Sequence, residues 1–377
     1  MKKCRVLELI GGSLTDGGAE TLVKEYVLNM DRDRFETAVF VDWIISGTAN
    51  TKILMEMGQQ IFTAYPKYSL FWRGINRFFR KIFMVRGIRK AIREFNPDVI
   101  HVHLNALQYL TMLGDELKGR KLFYTCHSTV EAMLVQCPEE DKAARELVRR
   151  YGLRFIALHN AMANELNARY GVDDTTVLNN GIDTDRFRHV KETKKEIRDS
   201  IGIPDESFVV GHVGRFVPVK NHEFILKIFK RVIEIRPDSV LLLVGDGEGL
   251  DDFKNKVAES GLNKCVVILS NRTDVPQLLK AMDVFLFPSL FEGLGNALIE
   301  AQAAGIRCVA SKNVPESAFV SDLVYPMDLS DSLEKWCDAV LDTNKHGVYN
   351  DRMGEYDIKS SVRELERLYL KGKTIGE

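Results

Sequence analysis

Short apolar runs alternate with longer amphipathic runs along most of the chain, a rhythm that predicts parallel strands joined by helices. In the first half the expected strands are Arg5–Ile10, Thr37–Val41, Gln60–Ala64, Val99–Val102, Lys121–Cys126, Phe155–Leu158 and Thr176–Leu178. In the second half they are Val209–Val213, Val240–Val244, Val266–Leu269, Val284–Phe287, Cys308–Ala310 and Leu323–Tyr325. The pattern predicts two Rossmann-like α/β domains, one over residues 1–180 and one over 190–350. The stretch from Asn180 to Lys191 mixes turn residues with charge and is the expected boundary. A last helix, about 356–377, follows the second sheet. Ligands of open α/β sheets bind beyond the carboxyl ends of the strands, so two such sheets facing each other place a site in the cleft between them.

Composition narrows this picture. A chain of 377 residues can bury two sizeable cores. A net charge of −1 offers nothing global to nucleic acid. The six cysteines are scattered without a C-x-x-C pair and read as reduced thiols of a cytoplasmic protein. No run of about twenty apolar residues predicts a spanning helix, and Met-Lys-Lys-Cys at the start lacks the long apolar region of a signal peptide.

The strand-to-helix loops carry the candidate chemistry. The most informative is Phe287-Pro-Ser-Leu-Phe-Glu-Gly-Leu-Gly-Asn-Ala-Leu-Ile-Glu300, where Glu292 ends up in the loop and Glu300 in the opening turns of a helix that stops at Gly305. A helix N-terminus attracts an anion, and an acid beside it reaches a ligand's hydroxyls, a layout that suits a nucleotide. Gly214-Arg215-Phe-Val-Pro-Val-Lys220-Asn221 follows another strand. Arg215 and Lys220 suit a diphosphate, with Asn221 placed to cap the next helix. The first loop, Gly11-Gly-Ser13-Leu-Thr-Asp16-Gly17-Gly18, is neither a clean dinucleotide fingerprint nor a P-loop. Gly245-Asp-Gly247-Glu-Gly249 reads equally as a tight structural turn or a ligand contact. Arg272, in Ser270-Asn-Arg-Thr-Asp274, could stack on a base. His127 ends a predicted strand, and His101 and His103 stand together in Asp98-Val-Ile-His-Val-His. Asp31-Arg-Asp33 and Asp183-Thr-Asp185 match a D-x-D metal spacing, but Arg215, Lys220 and a helix end already supply positive charge, so no metal or other cofactor is expected. From Lys67 to Arg93 there are nine basic residues and no acid. Apolar residues recur there at helical spacing, and residues 71–93 suit either contact with an anionic membrane surface or an apolar stripe packed on the first sheet with a solvated basic face.

The Glu292-x7-Glu300 segment with its small-residue helix, the G-R-x4-K segment, Asp98-x-x-His-x-His103 and Asn180-Gly-Ile-Asp183 occur in one order. In this the chain resembles the retaining glycosyltransferases of family 4, which have the GT-B fold of two Rossmann-like domains across a cleft. The resemblance covers nearly the whole chain and is weakest in the N-terminal half. It implies transfer of a hexosyl or N-acetylhexosaminyl group from a nucleoside diphosphate donor, with UDP expected. The acceptor would be a glycan or a polyprenyl-diphosphate-linked sugar of bacterial surface or capsular polysaccharide assembly. It implies an acceptor-binding first domain with the C-terminal helix packed back on it, and a donor-binding second domain. Glu292, His127, Arg215 and Lys220 take the catalytic roles. Gly17, Gly18, Arg215, Lys220, Arg272, Gly293, Leu294, Gly295, Asn296 and Glu300 line the donor, with Glu300 on the ribose, while Ser13, Asp16 and His103 lie toward the acceptor and His101 is structural. The D-x-D at Asp183 falls in the family's interdomain text, which is no metal site. The expected setting is cytoplasmic, on the inner membrane face if residues 71–93 bind it. Leu294 stands where the family has Phe, and Ala157-Leu-His159-Asn160 where a Ser-containing segment is common, leaving His159 as a substitute contact or a surface residue. A transferase with a small soluble acceptor and a non-catalytic sugar-nucleotide-binding subunit are the alternatives.

Overall fold

The protein is described by a computed structural model over residues 2–45, 47–65, 77–342, 344 and 346–371, with residues 77–79 by backbone alone. It divides into two compact units, Met1–Gly181 with Ile358–Glu377, and Ile182–Asp357.

The first unit holds strands β1 (Cys4–Gly11), β2 (Phe35–Val41), β3 (Gln60–Thr63), β4 (Val99–Leu104), β5 (Lys121–Thr125), β6 (Arg154–Ala157) and β7 (Thr176–Val177). They form one sheet in the order 3-2-1-4-5-6-7, and every pairing is parallel. The second holds β8 (Phe208–Val213), β9 (Ser239–Val244), β10 (Val266–Leu269), β11 (Val284–Phe287), β12 (Arg307–Ser311) and β13 (Val324–Met327). Their order is 10-9-8-11-12-13, also all parallel. In each sheet the order reverses direction between two central strands, β1 and β4 in one, β8 and β11 in the other. That is where the loops diverge and leave a crevice for a ligand. All thirteen predicted strands are present, their ends shifted by a residue or two.

Strands such as Val-Leu-Leu-Leu-Val in β9 are apolar on both faces because helices cover both faces. In the second unit the amphipathic helix His222–Ile235 lays Ile225, Leu226, Ile228, Phe229 and Val232 on the sheet beside Trp336 and Val340. The C-terminal helix, Ile358–Lys371, joins the first unit and buries Ile358, Val362, Leu365 and Tyr369 against Val6, Tyr26, Phe35, Val99 and Phe123. Hydrogen bonds from Asp31 N–H to Glu366 and from Lys121 Nζ to the Tyr369 carbonyl hold its C-terminal half.

The basic helix runs from Arg77 to Phe95. Met84, Val85, Ile88, Ala91, Ile92 and Phe95 are buried in the first unit, so this part of the apolar stripe is core. Its cations meet acids: Arg80 pairs with Asp42, Lys81 with Glu139, Arg89 and Arg93 with Glu116, and Lys90 with Glu94. Phe71 and Trp72 of the membrane expectation lie outside the described residues. No described helix is long and apolar enough to cross a membrane. All six cysteines are unbridged.

Candidate active site

The loops at the β8/β11 reversal build the strongest constellation. Leaving β8, the chain runs through Gly214 and exposed Arg215 to the 3-10 turn Pro218–Lys220. Leaving β11, it runs through Pro288 to Gly295, the N-cap of the helix Asn296–Ala303. The two loops are tied by a hydrogen bond from Leu290 N–H to the Val219 carbonyl at 2.8 Å. Asn221 Nδ2 donates to the Pro288 carbonyl at 3.2 Å. The expected capping by Asn221 is corrected here: it occupies the N-cap position, but at φ 58° its side chain turns to the neighbouring loop instead of the helix N–H groups. Asn tolerates this left-handed conformation better than other non-glycine residues.

Lys220 Nζ donates to Glu292 Oε1 at 2.6 Å, with side chains 16% and 13% exposed. The ammonium also lies 5.0 Å from the Phe287 ring centroid. A ligand phosphate can compete for the Lys220 charge and free Glu292 for a sugar hydroxyl, since a close ion pair needs only one partner exchanged. Arg215 makes no ion pair among the described residues. Glu300 sits half-buried in the helix that Gly295 starts, and Gly295 adopts φ +96°, where a side chain is strained and its Cβ would press on Val314. Asn296 is the first residue of that helix, Gly293 is buried, and the side chain of Leu294 is core. A donor would therefore meet Gly293, Leu294 and Gly295 through their backbone.

Two candidate segments also have structural work. The glycines of Gly245–Gly249 pack against the β8 loop: Phe216 N–H donates to the Asp246 carbonyl and Gly249 N–H to that of Phe216. A Cβ on Gly247, at φ +150°, would lie 2.8 Å from the Phe216 backbone. The turn therefore has a structural task of its own. Arg272 makes a two-pronged contact with Asp274, its Nε donating at 2.7 Å, so its guanidinium edge is engaged and only its faces remain for a base.

In the first unit the β1 loop is also knit into the fold. Asp16 accepts from the N–H groups of Ala49 and Asn50 at 3.1 and 3.0 Å, capping the helix Ala49–Glu56. Asp16 thus also has a structural task beside its acceptor-side expectation. Gly17 caps the helix Gly18–Asn29, but the Glu20 carboxylate lies against it and accepts from Thr15. Ser13 Oγ is buried without a partner among the described residues. A cavity of about 350 Å³ beyond β1, β2 and β4 is lined by Gly11, Asp42, Arg80, Lys81, Asn105, Gln108 and Tyr109.

His103 is not an acceptor wall. It is fully buried, with Nε2 2.7 Å from Glu8 Oε2 and Nδ1 2.8 Å from His127 Nε2. His101, also buried, joins Tyr369 at 2.6 Å and Thr125 at 2.7 Å. Burial raises the Glu8 carboxyl to about 8 and lowers His103 to about 3. Burial, with neighbouring imidazoles, holds His101 and His127 well below the ordinary histidine value. Glu8 and Tyr369 escaped the sequence reading. A lone acid in the apolar run Cys4–Gly11 was the one available signal.

Glu8, His101 and His103 have ligand atoms within 4.8 Å of one another, the spacing of a metal set. Each of those atoms already takes a hydrogen bond within the cluster. In the two D-x-D segments Asp183 accepts from Arg186 N–H as a helix N-cap and Asp31 accepts from Asp33 N–H in a turn. His159 is resolved as the N-cap of the helix Asn160–Tyr170, its Nδ1 accepting from Met162 N–H.

Two Rossmann-ordered parallel sheets with polar loops at the strand-order reversals place the protein in the doubly wound α/β class, whose ligands bind at those reversals. Residues 16–186 match the family model "Glycosyltransferase Family 4" and residues 193–328 match "Glycosyl transferases group 1". The UDP-Gal:alpha-D-GlcNAc-diphosphoundecaprenol alpha-1,3-galactosyltransferase of Escherichia coli is 32% identical over 307 residues, covering 75% of this chain and 78% of that protein. The capsular polysaccharide biosynthesis glycosyltransferase CapH of Staphylococcus aureus is 26% identical over 298 residues, covering 74% and 79%. The crystal structure of Anabaena HepE in complex with UDP-glucose superposes with a TM-score of 0.76 at 20% identity, covering 97% of this chain and 100% of that one. The chain belongs to family 4 of the glycosyltransferases, and it is a glycosyltransferase of the GT-B fold.

Proposed function

We propose that the protein transfers a hexosyl or N-acetylhexosaminyl group, with retention and without a metal, from a UDP-sugar to a glycan or polyprenyl-diphosphate-linked acceptor in surface polysaccharide assembly. The observation that carries this reading is the Lys220–Glu292 pair beside Arg215, on the loops where the second sheet reverses its order. The named activity of the E. coli relative, which uses UDP-Gal and a diphosphoundecaprenol-linked sugar, supports the donor and acceptor classes.

In this reading Lys220 and Arg215 stabilise the charge that builds on the leaving diphosphate, aided by the N–H groups of the Asn296–Ala303 helix. Glu292 holds the donor sugar near its reacting carbon, Glu300 binds the ribose hydroxyls, and His127 contacts the sugar. The acceptor attacks on the face from which the diphosphate departs. Hydrolases place two carboxylates as nucleophile and acid around the bond; that pairing is not assigned to Glu292 and Glu300. Fixed cations take the place a divalent ion would have. The setting is the cytoplasmic side of the membrane.

A second reading, a small soluble acceptor, is favoured by one observation: the cations of the Arg77–Phe95 helix are largely paired with the protein's own acids. Flotation with anionic vesicles at moderate salt separates the two. Binding supports the lipid-linked acceptor, and absence of binding supports the soluble one. The donor reading is tested by hydrolysis of UDP-glucose, UDP-galactose and UDP-N-acetylglucosamine with and without EDTA. The released sugar's anomer is followed by NMR, with Glu292→Ala and Lys220→Ala as controls. Turnover of at least one donor in EDTA with retained configuration is expected. Dependence on a divalent ion, an inverted product, or variants as fast as the parent would reject it.

A further inference from the structure

In the first unit five buried or half-buried side chains from four separate elements form one continuous file. Tyr369 of the C-terminal helix lies 3.1 Å from Glu8 Oε1 on β1. Glu8 Oε2 lies 2.7 Å from His103 Nε2 on β4. His103 Nδ1 lies 2.8 Å from His127 Nε2, just past β5. His127 Nδ1 is buried and has no partner among the described residues. His101, which joins Tyr369 and Thr125, completes the cluster.

The donor and acceptor roles along such a file are linked, because a neutral imidazole has one N–H and one lone pair. With Glu8 ionised, Tyr369 O–H and His103 Nε2–H both donate to it. His103 Nδ1 must then accept, His127 Nε2–H donates to it, and His127 Nδ1 is left with a lone pair. With Glu8 protonated on Oε2, the carboxyl donates to His103 Nε2. His103 Nδ1–H donates to His127 Nε2, and His127 Nδ1 carries the proton. The two states differ by one proton. Passing from the second to the first moves a proton from Glu8 to His103 and another from His103 to His127, and releases the third from His127 Nδ1. Both states leave every member of the file between Glu8 and His127 satisfied, so neither is penalised by an orphaned group inside it. His101 fits either state by accepting from Thr125 and donating to Tyr369.

We propose that Glu8 and His103 are positioning residues whose hydrogen-bonded file sets whether His127 Nδ1 presents a proton or a lone pair to a ligand oxygen. The consequence for transfer rests on the reading of His127 as a sugar contact, but the file itself does not. The ionisable groups around it are His101 and His103 from β4, His127, Tyr369 and Tyr26, which stacks on His101 from the Gly18–Asn29 helix, with Cys4 acting on Tyr369. Burial places the Glu8 transition near neutrality, at about 8, where the switch is accessible.

The test is ¹⁵N NMR of the histidine-labelled full chain from pH 6.5 to 9.5, with the His127→Asn spectrum assigning His127. In the parent, His127 Nδ1 is expected to pass from the protonated to the unprotonated ¹⁵N range as pH rises. In Glu8→Gln, whose amide donates to His103 at every pH, the passage is lost. Tyr369→Phe removes a donor to the carboxylate and shifts the passage to higher pH, a second check should Glu8→Gln fold poorly. A His127 tautomer that does not change in the parent, or changes alike in Glu8→Gln, overturns the proposal. So does a tightly bound transition metal that perturbs His101 and His103 together. The pH profile of donor turnover is read separately: loss of its inflection near pH 8 in Glu8→Gln supports the link to transfer. A Glu8-dependent tautomer with identical pH profiles leaves the file standing and rejects His127 as the sugar contact.

Discussion

At the strand-order reversal of the first sheet the polar side chains Glu8, His101 and His103 lie fully inside the strands, whereas at that of the second Lys220 and Glu292 project from loops beyond them. The first set is neutral or proton-shifting, since burial pushes the carboxyl up and the imidazoles down. The second is an ion pair on loops, largely covered but not sealed inside the sheet. A charge inside a sheet is tolerated only when a neighbour can neutralise it. A charge on a loop can wait for a ligand. The same architecture thus carries two kinds of polar cluster, one buried among the strands and one on loops beyond them.

Breaking the loop pair is the severest test of this contrast. Lys220→Ala and Glu292→Ala are each expected to lower donor turnover by about 10²–10³-fold, the cost of one lost stabilising group. The double variant should fall far less than the product of the two, because the residues act together. Near-additive losses in steady-state kinetics would separate their roles.

The buried set should answer to stability instead. Glu8→Ala strips a hydrogen-bond partner from His103 and Tyr369 and is expected to cost about 1–3 kcal/mol in urea unfolding, the penalty of orphaned buried groups. Its pH dependence has a definite sign. Folded Glu8, raised from 4.5 to about 8, binds a proton that the unfolded chain has released, so stability falls as pH rises through that window. The depressed histidines act oppositely: His103 at about 3 and His222 at about 4 remain neutral where the unfolded chain protonates, so stability falls as pH drops below about 6.5. The parent should therefore be most stable near pH 6.5, and Glu8→Gln should lose the alkaline decline. A decline unchanged in Glu8→Gln would assign it to other groups.

Smaller effects sharpen the loop side. Asn221→Ala loses the tie to Pro288 and places Ala at φ 58°. A loss of about 1–2 kcal/mol in thermal unfolding is expected, with Asn221→Gly milder. Arg272→Ala removes an exposed pair worth about 0–1 kcal/mol, so stability should scarcely change. A raised KM for the donor would then report base stacking by the guanidinium face, and an unchanged KM would leave Arg272 as a brace for Asp274.

How much of this was legible in the sequence follows from how far apart the partners lie. The thirteen strands could be read because each is a short apolar run bounded by turn residues. Glu292, Glu300, Arg215 and Lys220 could be read because each motif lies within a single loop or the helix that follows it, and local text describes a local backbone. Asn221 was misread because its capping position looks ordinary until its positive φ is seen. His103 was misread as an acceptor wall, and the capping task of Asp16 went unread, because their partners, Glu8, Ala49 and Asn50, come from other elements. The buried file escaped altogether: Glu8 meets His103 across 95 positions and Tyr369 across 361. No spacing rule reaches so far, and only the sheet order 2-1-4-5 brings those strands together.

The most direct measurement of the central claim is calorimetric titration of the full-length parent and of Lys220→Ala with UDP and UDP-sugars in EDTA, beside turnover of the same donors. Saturable binding by the parent, weakened at least tenfold by Lys220→Ala with turnover falling further, is the expected result. Equal affinity and equal turnover in parent and variant would contradict the assignment of the β8/β11 loops as the donor site.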